Sequence, residues 1–442
     1  MNKFLIKNSS FFFKCLIIGL LTSLFLYFIM FNIFDESTDY YICTKVLDYQ
    51  LDFFSNKINY KYTNSCDEES YFLPLESIGT IYEIKDFQYQ NRPIFLVLAW
   101  LIHKFLSLLF YFFNLNQILL YQITYFILQN LILTITVLLF NSIFNIKNTS
   151  LNYFYTYILL LISPIYKWTI FEAGHHTQTG LLILFAVYSY KNRHIFKSKL
   201  LPILIGILYL SHRSFIVLFL YLLLILLYEH RKDLLVQFRK ILYFIVAFLF
   251  PIISYQIFKN IVSAVEDHNI EVYKQFFWVF DYIRGLETKG VTGWYCQTIP
   301  SNFKCYLLDT VSVLKYLYIP ASIVFIYIIL NKNFYLKNKE QLDSLIHITF
   351  LVSLFWSFIG WYPPVRFSFY SSGHFLIIIS ILIFYNMSTK YGKLAYFSGY
   401  FLFFILHNHY NGEIYFPSKS IYLFSLIFYL IAIFYEKKVS AK

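Results

Sequence analysis

Apolar runs of about 20 residues, separated by short polar stretches, recur along the whole chain, the spacing that a hydrocarbon layer about 30 Å thick selects for. Lipid cannot satisfy backbone N–H and C=O groups, so such runs must be helices or the strands of a closed barrel. They are too long and too uniformly apolar for barrel strands. The pattern predicts an all-α fold, a polytopic membrane helical bundle of about 11–13 membrane helices with juxtamembrane helices on its outer face. The whole of 1–442 reads as a single integral membrane domain.

The first run, Cys15 to Phe34, follows Lys3, Lys7 and Lys14. It is longer than a signal-peptide core and lacks a small-residue cleavage site, so it reads as a retained anchor. Later runs cover roughly 93–113, 118–140, 151–165, 177–190, 200–212, 214–228, 241–257, 311–330, 344–360, 372–386, 394–407 and 420–435. Counting back from the basic loop at 191–199 puts both 166–178 and 113–118 outside, so Pro93–Phe113 does not simply cross; the alternative is that 166–178 is cytoplasmic, which would shift the parity of everything after it. His103 and Lys104 agree, because a full span would bury them at high cost. An interfacial or re-entrant helix on the outer face is expected there. Ser211, His212, Arg213 and Ser214 interrupt another apolar stretch, which suits two short helices meeting at a polar tip.

Composition strengthens the membrane reading, since 59% of the residues are hydrophobic and 14% charged, against about half and about a quarter in a soluble domain. The net charge of +12 suggests nucleic acid until its distribution is followed. Lys and Arg collect in short loops, at Lys191–Lys199, Arg231–Lys240, Lys332–Lys339 and Lys437–Lys438. That is the positive-inside pattern rather than a groove for phosphodiesters, so no nucleic-acid partner is expected. Residues 34–92 carry eleven Asp or Glu against five Lys or Arg, and this acidic stretch faces out. The outer loops are then 35–92, 258–310, 361–371 and 407–419. Cys43 and Cys66 in the first, with Cys296 and Cys305 in the second, allow two disulfides in an oxidising compartment, with the pairing open. No repeat of 20–50 residues is evident, nor a soluble domain larger than the loop from Phe258 to Thr310.

Candidate chemistry sits at the outer helix ends. After the anchor the chain reads FDESTDYY, placing Asp35, Glu36 and Asp39 at the interface. Carboxylates there suit a general base for a hydroxyl or a hold on a divalent cation, although a solvated helix end would look the same. Arg92 precedes Pro93, a residue that opens helices; alone it reads as a headgroup anchor. In SPIYKWTIFEAGHHTQTG, Lys167, Glu172, His175 and His176 lie between two apolar runs, the last three on one helical face at i, i+3 and i+4. They are compatible with a divalent metal, but HExxH is missing and four ligands are not evident. His212 and Arg213 occupy the polar tip, and Arg366 in WYPPVRFSFY lies in an outer turn, where a guanidinium fork suits a lipid phosphate or any headgroup.

Taken in order, these stretches resemble the GT-C superfamily, integral membrane glycosyltransferases that use polyprenyl-phosphate sugars. Asp35, Glu36 and Tyr40 look like its Asp-Glu pair and following Tyr after the first helix. Arg92–Pro93 resembles its basic-Pro step, Ser163–Pro164 with Lys167–His176 its Ser-Pro and charged outer loop, Ser211–Arg213 its hairpin tip, and Arg366–Phe367 its late Arg-aromatic step. The tyrosine falls one place late, His replaces Asp in the second outer loop, and the tip has His-Arg rather than Thr-Lys. The resemblance implies an inverting transfer in which a hydroxyl of a glycan, lipid or protein acceptor attacks the anomeric carbon and lipid phosphate departs. It implies catalytic roles for Asp35 as general base and Glu36 behind it. Substrate-binding roles go to Tyr40, Arg92, Lys167, Glu172, His175, His176, His212, Arg213 and Arg366. No cofactor is required beyond a divalent metal if one is used. The partners are the lipid-linked donor, the acceptor and membrane lipid, in a multi-pass protein of a bacterial inner membrane with its site on the periplasmic side.

Two other classes stay open. An O-antigen-type polymerase or ligase also uses outer-loop arginines, but would not need the carboxylates beside the anchor. A lipid-linked sugar transporter or flippase is opposed by the scarcity of charged residues and glycines at mid-depth of the apolar runs.

Overall fold

The computed structural model of the chain describes residues 9–33, 68–83, 92–113, 117–170, 177–192, 198–231, 234–262, 317–358, 369–406, 408–410, 413–415 and 419–440. The helices, in chain order, are α1 Ser9–Ile33, α2 Glu68–Glu76, α3 Thr80–Glu83, α4 Pro93–Leu109, α5 Gln117–Ile143, α6 Ser150–Leu161, α7 Pro164–Thr169 and α8 Gln178–Lys191. They continue as α9 Leu200–Tyr209, α10 Phe215–Glu229, α11 Leu234–Val262, α12 Tyr318–Leu330, α13 Lys332–Lys337 and α14 Lys339–Phe358. After a π-helical turn over Phe369–Gly373 come α15 His374–Asn386, α16 Lys390–Leu406, the strands β1 Asn408–Tyr410 and β2 Glu413–Tyr415, and α17 Lys419–Ser440.

The fold is helical, as the apolar runs require. Among the described residues four helices are long and apolar enough to cross a bilayer, over Ser9–Leu26, Leu119–Ile143, Phe238–Val262 and Ser420–Lys438. Other apolar helices are shorter: α9, at ten residues, is about 15 Å long. Among the described residues Ser163–Pro164 separates α6 from α7 and the 211–214 interruption separates α9 from α10, which keeps these helices short. Several helices outrun their apolar stretches. α11 begins at Leu234 and includes Arg239 and Lys240, and α14 begins at Lys339, because Lys, Arg and Glu are good helix formers. Two of the stretches expected as outer loops contain regular structure. The acidic stretch before Arg92 contains helices α2 and α3. The loop at 407–419 contains an antiparallel ribbon pairing Asn408 with Tyr415 and Tyr410 with Glu413, a small departure from all-α.

The chain forms two compact units. Unit 1 comprises Met1–Leu139 and Lys167–His268; unit 2 comprises Phe140–Tyr166 and Asn269–Lys442. In unit 1, α1 is joined to α5 by Ser23 Oγ donating to Asn130 Oδ1 at 2.8 Å, the type of polar contact that fastens helices where lipid leaves little hydrophobic drive. α4 begins with Pro93 at its first turn, where the missing N–H costs nothing. It buries Phe95, Leu96 and Ala99 against α2 and against Tyr121, Tyr125, Leu128 and Ile132 in the first half of α5. Its outward residues, Leu101, Phe105 and Leu108, are also apolar. The polar pair that interrupts α4 is accommodated by partners. His103 is buried beside Tyr121, with ring centroids 5.0 Å apart, and exposed Lys104 donates to Glu76 O at 3.3 Å. α9 meets α11 at Gly206, and Phe219 of α10 stacks on Phe248 of α11 with centroids 3.9 Å apart.

In unit 2, Asn145 is left-handed at φ 54, a conformation Asn tolerates better than most residues. Ile146 N donates back to Asn141 O at 2.8 Å, closing the end of α5 in the manner of a Schellman cap. Thr149 caps α6 by accepting from Asn152 N at 3.2 Å. A buried polar knot binds α6 to α15: Thr156 Oγ1 lies 2.9 Å from Asn141 Oδ1 and 2.8 Å from Tyr385 OH, which donates to Asn152 O at 2.7 Å. α16 and α17 form a close hairpin, with Ser425 Oγ donating to Gly399 O at 2.7 Å.

Candidate functional site

The polar interruption at 211–214 forms the expected hairpin, with α9 ending at Tyr209, α10 starting at Phe215 and the turn between them in unit 1. Ser211, His212 and Ser214 are buried, and Arg213 is half-buried. The imidazole is held by its own turn: Ser214 N donates to His212 Nδ1 at 3.2 Å, and the Ser214 hydroxyl meets the same nitrogen. Because a backbone N–H can only donate, Nδ1 is the acceptor and the ring proton resides on Nε2. Burial first, and then the charge of Arg92, hold His212 well below the ordinary imidazole range. His212 is therefore a neutral Nε2–H donor at physiological pH.

Arg92 reaches this tip from a distant part of the sequence. Ile94 N donates to Leu210 O at 3.3 Å, which ties the start of α4 to the end of α9. The guanidinium Nη1 donates to Tyr71 OH at 2.6 Å. Tyr71 is itself clamped, with its carbonyl accepting from Tyr125 OH at 2.6 Å and its ring edge-on to Phe95 at 6.4 Å. The group whose charge is felt at His212 is thus pre-positioned by α2 and α5, an arrangement that lowers the ordering cost of binding.

The first turn of α8 completes the cluster. Gln178 Oε1 lies 2.7 Å from Ser211 Oγ, and Thr177 Oγ1 hydrogen-bonds Gln129 of α5. Thr177, Gln178 and Thr179 are all buried. Lys167, in α7, is fully buried in the same unit, and burial pulls its ammonium down to about 7. An amine near neutrality can donate or accept a proton at working pH.

Of the residues picked from the sequence, the structure brings Arg92 together with His212 and its neighbour Arg213, and buries Lys167. Asp35, Glu36, Tyr40, Glu172, His175, His176 and Arg366 lie outside the described residues, as do Cys43, Cys66, Cys296 and Cys305. No group of three His, Cys, Asp or Glu among the described residues is placed to hold a metal ion. Sequence reasoning missed Tyr71, Gln129 and the Thr177–Thr179 turn. The run of polar residues ahead of the apolar core of α8 was a visible signal. Tyr71 and Gln129 had none, because only packing joins them to the tip.

No protein-family model, curated protein or solved structure matches the chain.

Proposed function

We propose that this chain is a multi-pass membrane glycosyltransferase that moves a sugar from a polyprenyl-phosphate carrier to an acceptor hydroxyl at the outer face of the membrane. The observation that carries the reading is the assembly of Arg92, Tyr71, Ser211, His212 and Gln178 from four separate segments at one end of a helical hairpin. Buried polar groups of this density are costly in an apolar helical protein and are kept where they bind something. Helices able to cross a bilayer supply the lipid setting for such a carrier.

In the proposed reaction the acceptor O–H gives its proton to the Asp35 carboxylate, with Glu36 as the second carboxylate. The oxygen forms a bond to the anomeric carbon from the face opposite the carrier. The bond from that carbon to the phosphate oxygen breaks, and the phosphate leaves with its charge on the lipid. Arg213 and the oriented Arg92 are suited to that charge because a guanidinium presents forked donors to phosphate. Lys167, Glu172 and His175 position the sugar or the acceptor. The carrier holds the reactive carbon at the interface, so orientation is the main demand on the protein.

The test is mass spectrometry of lipid-linked sugars and surface glycans in cells lacking the protein. The expected result is accumulation of one polyprenyl-phosphate sugar and loss of that sugar from a surface glycan. Both should be restored by the wild-type chain and not by Asp35→Asn expressed at the same level. Full restoration by Asp35→Asn removes the base assignment; unchanged lipid-linked sugars and glycans remove the glycosyltransferase reading.

A further inference from the structure

The first turn of α8 holds two buried polar groups that no described residue satisfies. Gln178 is 4% exposed and Thr179 is 0% exposed, yet Gln178 Nε2 and Thr179 Oγ1 have no hydrogen-bond partner among the described residues. A buried polar group left unmade costs about 1–3 kcal/mol, and two in successive residues are uncommon in a native interior. The Gln178 amide is directed at the α9–α10 tip, since its other terminal atom is the one 2.7 Å from Ser211 Oγ.

The hydrogen-bond arithmetic narrows what would satisfy them. Ser211 has one hydroxyl proton and two acceptors within reach, Leu208 O at 2.6 Å and Gln178 Oε1 at 2.7 Å. If the proton goes to the amide oxygen, the free atom of Gln178 is a donor. If it goes to Leu208 O, the amide turns over to donate to Ser211, and the free atom is an acceptor. Thr179 can act either way. A carboxylate or phosphate serves only the first arrangement and an ammonium only the second, whereas a hydroxyl serves both.

We infer that the Gln178–Thr179 turn is a hydroxyl-reading subsite, which recognises the sugar ring of the ligand rather than its phosphate. This inference rests on the glycosyltransferase reading, because it takes the sugar to be the one on the lipid carrier. Gln178 and Thr179 are specificity-determining residues here; neither is given a part in bond making.

The experiment uses the full-length protein in detergent, with ligand-induced change in melting temperature and native mass spectrometry as readouts. The probes are a panel of short-chain polyprenyl-phosphate hexoses and pentoses, the sugar-free polyprenyl phosphate, and the free sugars. Wild type is expected to bind one lipid-linked sugar about tenfold or more tightly than the sugar-free carrier. Thr179→Val and Gln178→Met keep shape while removing the orphaned groups. Thr179→Val is expected to leave the unliganded protein as stable as wild type or more so and sugar-free carrier binding unchanged, whereas Gln178→Met also removes the acceptor of Ser211 Oγ and is expected to lower the melting temperature. Each should weaken the sugar-dependent increment about three- to tenfold, the range for one hydrogen bond. If Gln178→Met is poorly folded because Ser211 loses its contact, Thr179→Val, whose hydroxyl has no partner among the described residues, carries the test. An unchanged increment in both variants means that the turn holds only water and overturns the inference. Tight binding of a free sugar with no gain from the carrier also overturns it, because the subsite would then serve a soluble ligand. Failure of wild type to bind any lipid-linked probe removes the glycosyltransferase reading itself, which separates the two.

Discussion

Gly206 is where the geometry of the tip is set, and Gly206→Ala is the sharpest perturbation available. A Cβ at this position would lie 2.4 Å from Phe248 O and 2.5 Å from Pro251 Cγ, where ordinary contact begins at 3.4 Å. Neither neighbour can give way, since one is helix backbone and the other a proline ring inside α11. The two helices must part by about 1 Å, the difference between contact and clash. Overpacking of this size costs about 1–3 kcal/mol, which in a unit of this size is a fall in Tm of about 2–10 °C. The displacement also has a functional reading. Gly206 is one turn before Leu210, whose carbonyl accepts from Ile94 N at an already long 3.3 Å; another ångström breaks that tie and moves the tip away from Arg92. A misplacement of about 1 Å in a reacting site can cost about a hundredfold in rate. The assay is thermal unfolding of purified wild type, Gly206→Ala and the neighbouring control Ile207→Ala, whose side chain is 36% exposed, followed by transfer or lipid-linked sugar levels in cells. A Tm for Gly206→Ala equal to wild type would refute the close approach of α9 and α11 on which this reasoning stands.

Other outcomes follow from the same structure. Tyr71→Phe leaves the ring packing and removes the acceptor for Arg92, so transfer should drop about three- to tenfold with little change in Tm; unchanged transfer would mean that Arg92 needs no such support. Lys167 gives a pH signature. Its folded-state value is depressed to about 7 from an ordinary 10.5, so the unfolded chain binds more protons across that window and stability should rise from about pH 7 toward pH 10. Lys167→Met should flatten that rise in a Tm-versus-pH series, and parallel curves for the two proteins would show that the amine is not buried. In unit 2, Thr156→Val leaves Asn141 without its hydroxyl partner, a loss of about 1–3 kcal/mol measurable as a lower Tm. Gly399→Ala should behave like a milder Gly206→Ala, because its Cβ would lie 3.0 Å from Ser425 O and 3.2 Å from the Tyr429 ring. Identical melting of that variant and wild type would show that α16 and α17 are more loosely paired.

The sequence by itself determined the helical class, the approximate position of each apolar helix, the break at Ser163–Pro164 and the hairpin tip at 211–214. Each of these depends on residues within a turn or two of one another: the length of an apolar run, a proline that cannot continue a helix, a polar cluster that cannot sit in lipid. It also marked Arg92, Lys167, His212 and Arg213, since a basic side chain in an apolar chain stands out wherever it falls. The tertiary structure alone decided that Arg92 is oriented by Tyr71, that His212 is a neutral donor, and that Gln178 faces Ser211. These pairings join residues 21 and 33 positions apart, and periodicity along one helix carries no information about which face of another helix it will meet. The same reason explains Gly206, whose importance is invisible until α11 is laid against it: a glycine has no pattern of its own, and the space it leaves acquires meaning only from the backbone that fills it.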